Sequence, residues 1–219
     1  MSEHAAPDHP LPRGPALPGS ALPGSALPGS ARPGPARPDP PPPTRTNGPT
    51  NGPTDLRPTD LRAAMSRFAT GVTVITTGGR HCHGMTANAF TSVSLTPPLI
   101  ACCVATTAHM HEAITRQGEF AVSVLGAGQE HLARHFTDRT RPRGAAQFER
   151  VPHHPATRVD APLLTGAAAW LECRLATRHR AGDHTIFLGE VLTTACADGP
   201  GALLFHGGGY HALAHRATR

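Results

Sequence analysis

Gly84-Met-Thr-Ala-Asn-Ala-Phe-Thr-Ser-Val-Ser-Leu-Thr-Pro-Pro-Leu99 is the stretch on which the reading of this chain turns. At period two, Ala87, Ala89, Thr91, Val93 and Leu95 fall on one face, small and largely apolar. Thr86, Asn88, Ser92 and Ser94 fall on the other, with Phe90 among them. Such alternation predicts a strand with one face against a core. Gly84 opens it without a side chain to hold a ligand off the backbone. Pro97-Pro98 closes it, because neither residue donates to a sheet ladder. The polar face is either the solvent side of an antiparallel sheet or a shelf of donors and acceptors for a planar ligand. Alternation alone leaves both open.

The rest of the chain divides by composition. Of 24 prolines among 219 residues, 17 precede Thr59, and Ala-Leu-Pro-Gly-Ser repeats three times from Ala16 to Ser30. Residues 1–57 therefore read as a disordered low-complexity tail with little to bury. Residues 58–219 are long enough for one core. The 20 basic residues are all arginines, scattered singly except in Arg139-Thr-Arg-Pro-Arg143. No aromatic ladder accompanies them for base stacking, which argues against nucleic acid as partner. The five cysteines form no C-x-x-C pair, and no apolar run is membrane-spanning. A soluble, cytoplasmic protein with reduced thiols is expected.

Along the domain, Leu61, Ala64, Met65 and Phe68 predict a helix capped by Thr59 or Asp60 and ended by Gly71. Val72–Thr77 predicts a strand, and Arg80–Met85 the next one after a Gly78-Gly79 turn. In His81-Cys-His83, alternation sets Cys82 opposite the two histidines, so the three cannot converge on one metal. Leu99–Val104 predicts a buried strand, and Thr106 or Thr107 caps a helix over 108–117 whose N-terminus favours an anion. Phe120–Leu125 predicts another strand, 129–136 a short helix, and 139–162 an irregular flap. Ala168–Arg178 and His184–Ala195 predict a hairpin around Ala181-Gly-Asp183, and Leu203–Phe205 a last strand. Many strands with few helices predict a closed antiparallel barrel.

The chain resembles the short-chain flavin reductase family, FMN-binding split-barrel oxidoreductases that supply reduced flavin to two-component monooxygenases. Phe68-Ala-Thr-Gly-Val-Thr-Val-Ile-Thr-Thr77 looks like its opening strand, and Gly84–Leu99 like its flavin-binding strand pair, with Ala89 where Ser is usual and Thr96 where Asp is usual. Gly118-Glu-Phe-Ala-Val-Ser-Val-Leu125, Leu171-Glu-Cys173 and Gly182-Asp-His-Thr-Ile186 follow in the family's order. The resemblance covers roughly Leu61 to Leu213. It implies a mainly β split barrel with small capping helices, usually a homodimer, that reduces FMN or FAD with NAD(P)H and passes reduced flavin to a partner monooxygenase.

The same resemblance implies that Thr86, Ala87, Asn88, Ala89 and Ser92 hold the isoalloxazine and ribityl chain. Cys103, Val104, Ala105, Thr106 and Thr107 would run beside sugar and phosphate. Asp183, His184 and Tyr210 would lie on the nicotinamide side, with His184 the catalytic candidate. Family members commonly carry an acid, an arginine and a Ser-x-Thr pair where this chain has Ala105, Thr106 and Ala108-His-Met110. Phosphate contacts would then fall to Thr106, Thr107 and backbone amides. No Ser-His-Asp order, paired carboxylates or P-loop stands out. Flavin chemistry requires none of them, because the cofactor carries the electrons. Two other readings fit the same residues: a non-catalytic flavin- or haem-binding split barrel, and a scaffold acting through its proline-rich tail.

Overall fold

The structure, a computed structural model, describes residues 56–199 and 201–214. The reading of residues 1–57 as a tail lies outside these, apart from Leu56 and Arg57, both exposed. The described residues fall in the unit Pro53–Arg219. No described helix is long and apolar enough to cross a membrane.

In chain order come α1 (Pro58–Met65), β1 (Thr70–Gly71), β2 (Thr73–Thr77), β3 (His83–Ala87), β4 (Phe90–Leu95), β5 (Pro98–Ala105) and α2 (His109–Gln117). They are followed by β6 (Glu119–Val124), α3 (Glu130–Thr137), β7 (His153–Pro155) and β8 (Pro162–Leu164). The last are β9 (Ala169–Ala181), β10 (His184–Cys196), β11 (Ala202–His206) and β12 (Gly209–Leu213). The mainly β, antiparallel architecture expected from the sequence is the one observed. The main sheet has seven strands in the order β3-β2-β6-β9-β10-β5-β4, and β1-β11-β12 form a smaller sheet.

The central strands are apolar on both faces because both are covered. On β2, Val74 points into a core with Leu132, Phe136 and Leu164, whereas its neighbour Ile75 points into another with Met110, Ile114, Phe120 and Phe187. Helix α2 covers the second face with Met110, Ala113 and Ile114 and ends at Gly118, whose φ of 71° is left-handed backbone suited to glycine. The expected hairpin is present as β9 and β10, turning at Gly182 (φ 61°) and Asp183.

Several local expectations are corrected. Strand Arg80–Met85 is instead a 3₁₀ turn over Gly79–His81 followed by β3, since Gly79 at φ 55° turns the chain first. Helix α1 starts at Pro58 with Arg57 as N-cap, not at Thr59 or Asp60, and ends before Ser66 rather than at Gly71. Proline at the first helical position lacks only an N–H that would go unpaired there. The stretch 84–99 runs from β3 through β4 into β5, which Pro98 opens rather than closes; it breaks at Asn88-Ala89, with a further register shift between Ser92 and Ser94. Both breaks reset the alternation, so of the five residues expected on the core face only Ala87 is buried. Val93 is 50% and Leu95 90% exposed on an edge strand.

Gly189 sits where β10 crosses the core. A Cβ there would lie 2.6 Å from Phe120 Cζ and 3.2 Å from both Cys173 Cβ and Ile100 Cδ1. Phe120 and Cys173 are fully buried and Ile100 nearly so, and close-packed neighbours have little room to yield. Gly189→Ala is expected to destabilise the fold by about 1–3 kcal/mol. Chemical denaturation checks this, and an unchanged midpoint would contradict the packing.

Candidate active site

The first element of the site is the outer edge of β3. Gly84 was read as leaving backbone open to a ligand, but the place of its missing side chain is filled by Phe136 and Phe148. Its backbone is occupied too. Gln147 Oε1 accepts from Gly84 N–H at 2.9 Å, and the Arg141 guanidinium donates to Gly84 O. The buried Gln147 side chain also donates to Gly144 O at 2.7 Å. The expected flap is thus pinned to β3, with its arginines beside the strand.

The second element is the start of α2. Its N-cap is Ala108 and no side chain caps the first turn, so Thr106 and Thr107 are not the caps expected. Thr106 is engaged elsewhere: its N–H and hydroxyl both donate to Asp183 O, at 2.9 and 3.1 Å. The leading amides of α2 keep their donors and the positive end of the helix dipole.

Between these elements lies a cavity of about 470 Å³. Thr86 and Met85 of β3, Ala105, Thr107 and Ala108 before α2, and the side chains of His83, His109, Arg139, Arg141 and Arg143 line it. Among the described residues no carboxylate does. Burial, then the charges of Arg141, His109 and Arg143, push His83 from 6.5 to about 4. It is neutral at pH 7, with its ring edge-on to His109 at 5.9 Å. Three guanidiniums and a helix N-terminus facing one space make an anion site.

Of the residues expected from the sequence, Thr86, Ala105 and Thr107 line this cavity. Thr86 Oγ1 donates to Ala133 O at 2.7 Å, leaving its lone pairs to accept. Ala87 and Val104 turn their side chains into the core. Asn88, Ala89 and Ser92 are exposed at and beyond the β3–β4 break, and Ala89 O accepts from the half-buried Cys103 N–H at 2.9 Å. Asp183 and His184 form the β9–β10 tip, joined by Asp183 Oδ1 to His184 Nδ1 at 2.9 Å. His184 pairs in register with Ala105, which sets the tip beside the cavity. Tyr210 does not join them: it packs on Phe205, and Arg134 lies over its ring at 5.2 Å. Sequence reasoning missed His83, His109 and the three arginines. Arg139-Thr-Arg-Pro-Arg143 was visible as an arginine cluster, and only the fold brings it to α2.

The model of the flavin reductase like domain matches residues 65–214. The chain belongs to this family. An NADH-dependent FAD reductase of Streptomyces globisporus is 50% identical over 154 residues, 70% of this chain and 85% of that one. An NADH-dependent flavin reductase of a Rhodococcus species is 40% identical over 166 residues, 73% and 88% of the two chains. Among solved structures, the flavin reductase component of a bacterial two-component tryptophan halogenase superposes with a TM-score of 0.70 at 49% identity, covering 72% of this chain and 99% of that one. An NADH:FAD oxidoreductase of Streptomyces globisporus in complex with NAD and FAD fragments gives 0.68 at 47% identity, covering 73% and 94%. Within the flavin reductase-like family, the cavity described here falls inside the matched segment.

The neutral state of His83 has a consequence for acid stability. The unfolded chain takes up this proton near 6.5 while the folded one resists until about 4. The contribution of His83 to stability therefore falls as pH drops through that window and levels off below it. An NMR titration is expected to show a His83 midpoint near 4, moving upward in Arg141→Gln as one repelling charge is lost. A midpoint at the ordinary 6.5 would contradict the burial.

Proposed function

We propose that the cavity at the start of α2 holds the phosphate end of a flavin, FMN or FAD, with the isoalloxazine extending along Asn88, Ala89 and Ser92. The chain is an oxidoreductase of the NADH-dependent flavin reductase type. The observation that carries the site reading is the meeting of Arg139, Arg141 and Arg143 with the uncapped amides of α2. When bound, the flavin supplies the redox chemistry by accepting a hydride from the reduced nicotinamide. The protein's part is to bind, orient and release.

Each residue has a task in that scheme. The arginines and the amides of His109 and Met110 neutralise phosphate charge, while the His83 ring nitrogens face Arg141 and Gln147, each at 3.5 Å, and hold those side chains in place. Thr86 Oγ1 accepts from the flavin, since its proton is given to Ala133 O. His184, held by Asp183 at the hairpin tip, orients the nicotinamide over the ring. The exposed shelf at Asn88–Ser92 suits exchange, and a micromolar Kd, about −8 kcal/mol, lets reduced flavin pass to a separate monooxygenase. Five unpaired thiols fit a reducing, cytoplasmic setting.

The working form we propose is a homodimer. Leu61, Met65 and Phe68 at and just beyond α1 are 54%, 55% and 66% exposed, and Leu95 on the β4 edge is 90% exposed. Apolar exposure of this kind, on a helix with no buried residue, is what a self-complementary interface covers. Such closure fits the split-barrel expectation, with the site near the seam.

Steady-state oxidation of NADH with added FMN tests the activity, and its absence would favour a non-catalytic flavin carrier. His184→Ala is expected to lower kcat/KM for NADH roughly ten-fold, about 1.4 kcal/mol, with flavin Kd unchanged. Wild-type kinetics in that variant would make His184 an ordinary surface ring. Arg139→Gln with Arg143→Gln is expected to weaken FMN about five-fold or more and leave phosphate-free riboflavin unaffected. Equal losses for both flavins would contradict a phosphate role. Light scattering is expected to give a dimer, shifting toward monomer in Leu95→Asp.

A further inference from the structure

A second cavity, of about 450 Å³, lies between α2 and the β9–β10 hairpin. Thr106, His111, Arg178, Arg180 and Thr185 line it, and of these only Thr106 was expected beside the flavin. Arg178 and Arg180 are two residues apart on β9, so they share a face at roughly 7 Å spacing. Like charges so placed repel. Among the described residues neither forms an ion pair. Acids in this region are spent elsewhere: Glu112 pairs with Arg116 at 2.8 Å, and Asp183 with His184 at 2.9 Å.

The remaining groups are fixed rather than free. Arg178 donates to Thr115 Oγ1 at 2.9 Å, a neutral partner that anchors the side chain and leaves its charge in place. His111 Nε2 and Thr185 Oγ1 lie 2.9 Å apart, Thr185 is only 4% exposed, and the His111 ring stands edge-on to Phe187 at 5.2 Å. A buried hydroxyl, an imidazole and two uncompensated guanidiniums form a pocket for a phosphoryl group. Thr106 separates the two cavities, because its neighbours Ala105 and Thr107 line the first. It is also bonded to Asp183 O, next to His184. A ligand seated at the hairpin tip can reach the second cavity without crossing the flavin's phosphate site.

We propose that the cavity lined by Thr106, His111, Arg178, Arg180 and Thr185 binds the phosphates of the nicotinamide dinucleotide. This rests on the reductase reading above. The nicotinamide then meets His184 while the pyrophosphate is held by Arg178 and Arg180. The chain thus has two cation sets, one for each redox partner, on either flank of α2. FAD also carries an adenosine diphosphate arm and is the competing source of the same chemistry.

The test uses the full chain, the double variant Arg178→Gln with Arg180→Gln, and FMN as acceptor so that no flavin adenosine arm is present. KM for NADH is expected to rise about ten-fold or more as charge-assisted bonds are lost. KM for N-benzyl-1,4-dihydronicotinamide, a hydride donor without phosphate, is expected to stay within two-fold. Calorimetric titration with ADP-ribose, which needs no turnover, is expected to show a similar ten-fold loss. Equal losses with both hydride donors, or an unchanged ADP-ribose affinity, would overturn the proposal. So would a loss confined to FAD over FMN, which would give the pocket to the flavin's adenosine arm. Failure of the wild-type chain to oxidise NADH would instead strike the reductase reading, and the ADP-ribose titration would still decide the pocket.

Discussion

An unpaired sheet edge is the constraint from which the site follows. Strand β3 ends the seven-stranded ladder, and its outward N–H and C=O groups need partners that the sheet does not supply. Gln147 and Arg141 answer this by bonding Gly84 N and Gly84 O, and the Thr86 hydroxyl adds a side-chain bond from β3 to Ala133 O of α3. The same bonds fasten the 139–148 loop and α3 against β3. Closing the edge therefore delivers Arg139, Arg141 and Arg143 to the start of α2, where uncapped amides already favour an anion. Edge protection and the assembly of the arginine-lined cavity are one arrangement.

This explains why Gly84 matters in a way its backbone freedom does not. Any side chain there would meet the Phe136 ring, and Phe136 with Phe148 forms part of the core beneath the loop. A glycine read from sequence as access for a ligand is instead the depression that lets α3 and the loop approach β3. The consequence for function is indirect but strict. Without that close approach the arginines would not share a cavity with Thr86 and Thr107.

Much of the architecture was legible because its signals are local. β-Branched residues marked β2, and a glycine turn marked the β9–β10 hairpin. What was not legible depends on long-range geometry. Alternation through 84–99 predicted one continuous core face, but the break at Asn88-Ala89 reset the pattern and left Val93 and Leu95 outside. The arginine cluster stood out in the sequence, yet its role depends on a loop docking 57 positions away in the chain, from Arg141 to Gly84. His83 stood out in the sequence only as part of His81-Cys-His83, because its neutrality comes from burial and neighbouring charges. Tyr210, grouped with the hairpin tip by resemblance, lies instead on Phe205 and Arg134.

The two cation sets on either side of α2 suggest how one short helix can serve a two-substrate exchange. Its N-terminal amides face the first cavity, while His111 and Thr115 on its flank face the hairpin arginines. Thr106, bonded to Asp183, sits between. The central claim is that the cavity at the start of α2 is the phosphate site. A crystal structure of the chain with FMN tests it most directly. The account predicts phosphate oxygens within hydrogen-bond distance of the His109 or Met110 amide and of at least one of Arg139, Arg141 and Arg143. FMN bound with its phosphate elsewhere, and this cavity holding only water, would contradict it.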